Sequence, residues 1–294
     1  MAANALVVGA TGLVGSALLR ALRARGLAAA GTSRRGAAAG DHLPLDITDA
    51  VGAESVLAQV RPEWVFAPAA DPYVDGCERE PERTRRVNVE GTALLARLCR
   101  GRGARMVFYS SDYVFDGAKG VYDENDPVRP INEYGRQKAD AERAVLGENP
   151  ANLVVRTSGV YGWQTEPKNF VMQVVSRLRA GQTMKVAVDA RYNPTYADDL
   201  AALSADLALS DAAGIYHVAG SERLARYDFA VLAARAFALD ESLLVRARAA
   251  DFPSAAPRPR ESSLSTRKLR ARLGREPLGA SEGLRAMKAA EPAR

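Results

Sequence analysis

Short apolar runs alternate with amphipathic segments along the first half of the chain. Residues 5–8 form an apolar run that stops at a glycine, and the apolar side chains of residues 16–26 then recur at helical spacing. The same alternation continues to an apolar run at residues 152–157. Strands alternating with helices in this way predict a parallel sheet that is covered by helices on both faces.

The predicted strands and helices of this half follow from the same pattern. Strands are predicted at residues 5–8, 27–35, 62–70, 104–111 and 152–157, and helices at 16–26, 50–60, 81–100 and 131–147. Asn132 is the predicted N-cap of the last of these helices, because its side chain can accept a hydrogen bond from a free backbone N–H group.

The alternation breaks after about residue 158, where glycine, proline and tyrosine become frequent. Later helices are predicted at 194–209 and 226–239, a strand at 214–220, and a terminal helical region after a proline-rich stretch. We predict a nucleotide-binding core at 1–160, to which segments around 185–218 return. Residues 161–294 mainly form a small C-terminal α/β lobe that binds substrate.

A glycine-rich turn, GATGLVG, lies between the first strand and the first helix. Gly9, Gly12 and Gly15 suit a chain that turns tightly and approaches a pyrophosphate closely, while the helix N-terminus offers N–H groups to the phosphates. The predicted dinucleotide site also includes the residues between these glycines: Thr11, Leu13 and Val14. The fold class is therefore a Rossmann-type, doubly wound parallel sheet.

The end of the second strand indicates which dinucleotide binds. NAD sites usually carry an Asp or Glu there, which holds the 2′-hydroxyl of the ribose. This chain has Ser33, Arg34 and Arg35 instead, a hydroxyl and two guanidinium groups that suit a 2′-phosphate. NADP(H) is therefore predicted, with NAD(H) as the alternative.

Composition excludes several other classes of function. The net charge of +5 comes from dispersed arginines, and aromatic residues are 6% of the chain, which argues against a nucleic-acid groove. No apolar stretch approaches the roughly 20 residues of a membrane span, and no leader peptide is recognised. Two cysteines and two distant histidines indicate neither a disulfide framework nor a metal site. A reduced, cytoplasmic location is expected.

Tyr134 and Lys138 stand four residues apart on a predicted helix and so lie on one face of it. Together with the glycine-rich turn, this pair resembles the extended short-chain dehydrogenase/reductase family, and within it the dTDP-4-dehydrorhamnose reductase branch. The stretches that carry this resemblance are LDITD, YSSDYVFDG, PINEYGRQK, VVRTSGVYG, NPTYADDLA, GIYHVAG and RPRESSLSTRKL.

The resemblance implies reduction of a 4-keto-6-deoxy nucleotide sugar by NADPH. Tyr134 would donate the proton to the carbonyl oxygen, Lys138 would hold the nicotinamide ribose and lower the pKa of Tyr134, and Ser111 would hydrogen-bond the same oxygen. It further implies cofactor contacts from Asp46, Ile47, Ala69, Ala70 and Asn88. The implied substrate contacts are Asp112, Tyr113, Asn169, Arg191, Arg258 and Arg260.

One departure from the branch lies at the sugar site. The branch commonly has Trp after the Arg-Thr-Ser of the fifth strand, where it touches the sugar, and this chain has Gly159. Trp163 is a candidate to refill the space. The identity of the sugar stays open for this reason.

Two other functions remain alternatives. One is a nucleotide-sugar epimerase on the same fold. The other is a non-catalytic, NADP-binding regulatory subunit, which would resemble that of methionine adenosyltransferase. A homodimer is also left open.

Overall fold

Seven parallel strands form the main sheet of the protein. The structure, a computed structural model, describes residues 4–34, 36, 42–164 and 166–292. In spatial order the strands are β11 (Gly214–His217), β6 (Leu153–Thr157), β5 (Arg105–Ser111), β4 (Trp64–Ala67), β1 (Asn4–Val8), β2 (Ala28–Ser33) and β3 (Leu43–Pro44). Every pairing between them is parallel, so the predicted parallel sheet is confirmed.

Helices cover both faces of this sheet. One face carries α1 (Leu13–Ala24), α8 (Ala197–Leu209) and α10 (Arg267–Leu273), and the other carries α2 (Ala50–Val60), α5 (Thr92–Gly101) and α6 (Glu133–Glu148). Successive side chains of a strand point to opposite faces. Accordingly, Val7 joins the core beneath α1 while Leu6 joins the core beneath α2.

A second core lies in the C-terminal half. Three helices enclose it: α7 (Phe170–Arg179), α9 (Arg226–Ala236) and α11 (Ala280–Ala289). Short strand pairs border it: β7 (Val160–Tyr161) with β10 (Thr195–Tyr196), β9 (Arg191–Tyr192) with β12 (Leu224–Ala225), and β8 (Met184–Ala187) with β13 (Leu244–Ala247). These pairs are too short to show period-2 alternation, and the sequence pattern predicted none of them. Strand β10 lies within the range predicted as a helix, which begins only at Ala197.

The helix predicted over 81–100 is interrupted. Two short helices, α3 (Val74–Arg79) and α4 (Pro81–Arg85), precede a π-helical turn at Arg86–Gly91, and α5 follows it. The turn packs against the end of β3, since a Cβ on Gly91 would lie 2.9 Å from Cγ1 of Ile47. Three 3₁₀ turns, Asp112–Val114, Glu241–Leu243 and Ala249–Asp251, complete the elements.

Polar contacts cap the start of helix α6 and attach the helix to the main sheet. The Asn132 side chain accepts a hydrogen bond from Gly135 N at 2.8 Å, which confirms the predicted N-cap. Farther along, Glu142 forms a two-point salt bridge with Arg156 on β6, at 2.9 and 2.7 Å, and accepts a hydrogen bond from Ser110 on β5. Both charged side chains are almost fully buried. The helix is thereby fixed to two adjacent strands of the sheet.

Replacing Arg156 by Met is expected to lower the free energy of unfolding by about 3–5 kcal/mol, because the carboxylate of Glu142 then stays buried without its partner. Urea unfolding measures the change. Arg270→Met is the control, since its partner Glu276 is half-exposed and such surface pairs contribute at most about 1 kcal/mol. Similar small losses in both variants would contradict a role for the buried pair in holding α6.

Candidate active site

The glycine-rich turn forms a close-packed cradle at the carboxyl end of β1. Gly9 has a φ of +89°, which favours glycine, and lies against Ala69. A Cβ on Gly15 would overlap the carbonyl oxygen of Gly9, so only glycine fits there. Gly12 is the N-cap of α1, and the first N–H groups of that helix have no acceptor within it. This geometry suits a dinucleotide pyrophosphate.

The other residues of the predicted turn lie at the same helix end. Thr11 is exposed, while Leu13 and Val14 are half-buried. Leu13 also faces the start of the C-terminal half, because a Cβ on Gly162 would lie 3.0 Å from Leu13 Cδ1.

The end of β2 faces the segment after β3. Ser33 is buried, and its hydroxyl donates to the carbonyl of Gly36 at 3.3 Å. Arg34 is exposed, and its positive charge helps to lower the pKa of Asp46, although hydrogen bonds from Thr48 contribute most. Arg34 and Asp46 therefore share one edge of the cradle. The predicted contact Arg35 lies outside the described residues.

The remaining predicted cofactor residues differ in what their side chains contact. Ile47 is buried in the core beneath α2, while Ala69 and Ala70 are half-buried after β4. Asn88, on the π-helical turn, is buried, and its amide is fully engaged. It accepts from Asp71 N at 2.8 Å and donates to Asp71 O at 3.1 Å and to Gln137 at 2.9 Å. Its contacts fix the loop after β4.

Tyr134 and Lys138 lie one turn apart on α6, as their spacing predicts. Lys138 Nζ is 5.8 Å from the centroid of the Tyr134 ring and donates to the carbonyl of Tyr109, on β5, at 2.8 Å. Lys138 is buried, which lowers its pKa to about 8, and the charge of Glu142 opposes that change. A protein carbonyl thus holds the ammonium beside the phenol.

The surroundings of the phenol keep Tyr134 protonated in the absence of ligands. Burial raises the pKa of Tyr134, and the nearby carboxylate of Asp112 raises it further. Contact with Ser111 opposes the rise.

Asp112 is the centre of a buried hydroxyl cluster. Its carboxylate accepts hydrogen bonds from Ser111 at 2.9 Å, Ser158 at 2.9 Å and Ser262 at 2.5 Å. Burial raises the pKa of Asp112 to about 6, while the three serine hydrogen bonds act in the opposite direction. The cluster joins the ends of β5 and β6 to the C-terminal segment that precedes α10.

Tyr113 links this cluster to Tyr134 and Lys138. Its backbone N–H donates to Ser111 Oγ at 3.2 Å, and its ring meets that of Tyr134 edge-on with centroids 6.0 Å apart. A Cβ on Gly135 would overlap the carbonyl oxygen of Tyr113, so the start of α6 packs directly on this turn. Ser111, Asp112, Tyr113, Tyr134 and Lys138 therefore form one site.

The predicted substrate arginines are placed in two ways. Arg258 pairs with Asp75 at 3.0 Å, whereas Arg191 and Arg260 are exposed. A backbone hydrogen bond of 2.7 Å between the Arg191 N–H and the Arg260 carbonyl makes those two neighbours. Neither forms an ion pair with the part of the chain that the structure describes.

Asn169 has a local structural role. It caps α7 by accepting from Met172 N at 3.2 Å, and its amide donates to Gly162 O and Gln164. Its polar atoms are therefore engaged within the C-terminal half.

The suggestion that Trp163 fills the space beside Gly159 is wrong. The Trp163 indole donates to the carbonyl of Met287 at 2.5 Å and packs edge-on against Phe237, within the second core. The ring of Tyr192 occupies the space instead, because a Cβ on Gly159 would overlap its Cδ2 and Cε2 atoms.

Comparison with known families agrees with this geometry. The chain matches the family described as the RmlD substrate binding domain over residues 3–291. The chain belongs to this family.

Several similar proteins are named as reductases. The chain is 35% identical to a probable low-salt glycan biosynthesis reductase of Haloferax volcanii and 32% identical to a dTDP-4-dehydrorhamnose reductase of Aggregatibacter actinomycetemcomitans, covering 97% of both chains in each case. A solved dTDP-4-dehydrorhamnose reductase of Bacillus anthracis in complex with NADP superposes with a TM-score of 0.92 at 26% identity, over 99% of this chain and 100% of that one. The predicted fold class and branch are confirmed.

Other similar proteins have a different name. The chain is 31% identical to methionine adenosyltransferase 2 subunit beta of Xenopus tropicalis, over 90% of this chain and 81% of the relative. The chain is thus similar both to proteins named as reductases and to proteins named as a subunit of another enzyme.

Among the residues that the structure describes, no helix is long and apolar enough to cross a membrane.

Sequence reasoning missed several residues of the site. Ser158 and Ser262 lie inside the quoted RTSGVYG and RPRESSLSTRKL stretches, but no spacing rule connects them to Asp112. Glu142 stands four residues after Lys138, and this continuation of the helical face was the available signal. Tyr192 lies in a short strand with no recognisable pattern.

Replacing Asp112 by Asn is expected to remove a pH dependence of stability. Folding raises the pKa of the Asp112 carboxyl from 3.8 to about 6. The contribution of this carboxyl to the stability of the wild type is therefore fully present below about pH 3.8, and it is lost as pH rises to about 6. Relative to Asp112→Asn, the wild type should lose on the order of 3 kcal/mol between pH 4 and 7. Urea unfolding at several pH values measures the difference.

Asp240→Asn is the control, because Asp240 is exposed and Ser242 lowers the pKa of its carboxyl. The stability difference between the wild type and Asp240→Asn should therefore stay constant between pH 4 and 7, since both proteins retain Asp112. If the difference in free energy of unfolding between the wild type and Asp112→Asn does not change with pH, the buried carboxyl does not titrate in this range.

Proposed function

We propose that the protein is an NADPH-dependent reductase of a 4-keto-6-deoxy nucleotide sugar. The observation that carries the proposal is the placement of Tyr134 and Lys138 beside Ser111, at the carboxyl edge of the sheet that also bears the glycine cradle. Ligands of open α/β sheets bind outside the carboxyl ends of the strands. The names of the reductase relatives supply the sugar class.

The catalytic step needs a hydride at a carbonyl carbon and a proton at its oxygen. When bound, NADPH supplies the hydride. Tyr134 donates the proton, and burial keeps that proton on the phenol until negative charge develops on the substrate oxygen. Lys138, held by the Tyr109 carbonyl, supplies a positive charge that stabilises the phenolate left behind.

Ser111 acts on Tyr134 in a way that depends on Asp112. A serine hydroxyl has one proton to donate, and an ionised carboxylate can only accept. With Asp112 ionised, the Ser111 proton goes to Asp112, so Ser111 Oγ offers lone pairs to its other neighbours. Ser111 therefore orients the phenol, and it donates to the substrate oxygen only when Asp112 is protonated.

The cofactor site favours a phosphorylated ribose. No acidic side chain follows β2, and Arg34 stands at the edge of the cradle where a 2′-phosphate would lie. The Arg34 guanidinium would bind that phosphate, with Ser33 beside it. NADP(H) is therefore the proposed cofactor, as in the solved Bacillus anthracis relative.

Two regions divide these tasks. Residues 1–160, with α8 and β11 returning to the same sheet, hold the dinucleotide. Residues 161–294 otherwise cover the sugar nucleotide, and Arg191, Arg258 and Arg260 bring positive charge to its diphosphate.

A second candidate function is regulatory. The similarity to methionine adenosyltransferase 2 subunit beta favours it, since that protein is named as a subunit of another enzyme. The reductase and the regulatory function differ in one measurable respect: only the reductase oxidises NADPH when a ketosugar is added.

Tyr134→Phe is expected to lower kcat by at least about 100-fold, because it removes the proton donor and leaves the ring in place. NADPH consumption with dTDP-4-keto-6-deoxy sugars, followed by absorbance, measures turnover, and NADPH fluorescence measures binding, which should be unchanged. Tyr227→Phe, on α9, is the control and should retain activity. Tight NADPH binding without turnover by the wild type would favour the regulatory function.

Arg34→Ala is expected to weaken NADPH binding by about 10- to 100-fold, since it removes a charge-assisted hydrogen bond to phosphate. NADH binding should not change. Arg143→Ala, an exposed arginine on α6 that pairs with Asp140, controls for net charge. Equal losses for both dinucleotides would place Arg34 away from the 2′-position.

A further inference from the structure

The ring of Tyr192 occupies the space beside Gly159, where a larger residue would place its side chain. Gly159 has a φ of +52°, and the ring of Tyr192 lies directly on its α-carbon. Any side chain at position 159 would displace that ring. The glycine and the tyrosine therefore fit each other as a pair, although they are 33 residues apart.

The phenol of Tyr192 is buried without a hydrogen-bond partner in the part of the chain that the structure describes. The side chain is 9% exposed, and its hydroxyl forms no hydrogen bond with the described residues. A buried donor without an acceptor is unfavourable by about as much as a hydrogen bond contributes. Burial also raises the pKa of Tyr192, so the group keeps its proton and remains a donor.

The surroundings of this phenol belong to the active site. Tyr192 interacts electrostatically with Asp112 and Tyr113, and Tyr113 in turn contacts Tyr134 edge-on. The guanidinium of Arg226 lies 6.0 Å from the centroid of the Tyr192 ring. Arg226 forms no ion pair with the described part of the chain, so a cationic group also borders this position.

We propose that Tyr192 is a substrate-binding residue whose hydroxyl donates a hydrogen bond to an oxygen of the nucleotide sugar. The inference rests on the proposed function and specifies one side chain that binds the sugar. The sugar, rather than the diphosphate, is the partner because Tyr192 adjoins Asp112 and Tyr113, the residues next to the reacting position. Gly159 is small so that the Tyr192 ring can reach this place.

Tyr192→Phe tests the inference, because it removes the hydroxyl and keeps the ring that covers Gly159. The test compares the Kd values of dTDP-rhamnose and dTDP by calorimetry, with NADP⁺ in excess, so that the sugar's contribution is measured without turnover. We expect about tenfold weaker binding of dTDP-rhamnose and unchanged binding of dTDP. Thermal stability should not fall, since the hydroxyl has no protein partner to lose.

Tyr216→Phe, on the edge strand β11, is the control and should leave both Kd values unchanged. Equal affinity of wild type and Tyr192→Phe for dTDP-rhamnose would overturn the inference, as would an equal loss for dTDP. If the wild type binds dTDP-rhamnose but does not oxidise NADPH with the ketosugar, the proposed reductase function fails while the contact at Tyr192 stands. If it binds neither dTDP ligand, both fail.

Discussion

The buried salt bridge between Glu142 and Arg156 holds the face of α6 that carries Tyr134 and Lys138, the proposed catalytic residues. Tyr134, Lys138 and Glu142 occupy successive turns of one helical face, so fixing Glu142 to β6 and Ser110 fixes the direction of the other two. Lys138 then reaches the Tyr109 carbonyl on β5. Any shift of the helix that separates this pair leaves a buried charge without its partner, which is strongly unfavourable.

A second constraint is the buried negative charge of Asp112. Three serine hydroxyls stabilise it, and one of them, Ser262, lies 150 residues from Asp112 in sequence. The same charge raises the pKa of Tyr134, which favours the protonated phenol that a reductase requires. Lys138 contributes the opposite charge about one helical turn away. The Tyr134 phenol thus lies between a buried anion, Asp112, and a buried cation, Lys138.

The local features of the fold were predictable, and the contacts between distant segments were not. Periodicity placed α2 at residues 50–60, and the Asn132 cap follows from one side chain and its neighbours. The π-helical turn before α5 packs against Ile47, a contact that no local pattern encodes. The meeting of Ser262 with Asp112, and of Tyr192 with Gly159, likewise depends on the folded chain. The motifs identified the proposed catalytic and cofactor-binding residues, and the folded chain determined which other groups contact them.

The proposed reaction at this site is hydride transfer from NADPH to the carbonyl carbon of a nucleotide sugar. Incubation with dTDP-4-dehydrorhamnose and NADPH deuterated at the transferable position of the nicotinamide, followed by mass spectrometry and NMR of the sugar, follows this hydride. We expect one deuterium at carbon 4 of the product, with none incorporated by Tyr134→Phe. Unchanged ketosugar beside bound, unoxidised NADPH would show that the site does not reduce this sugar.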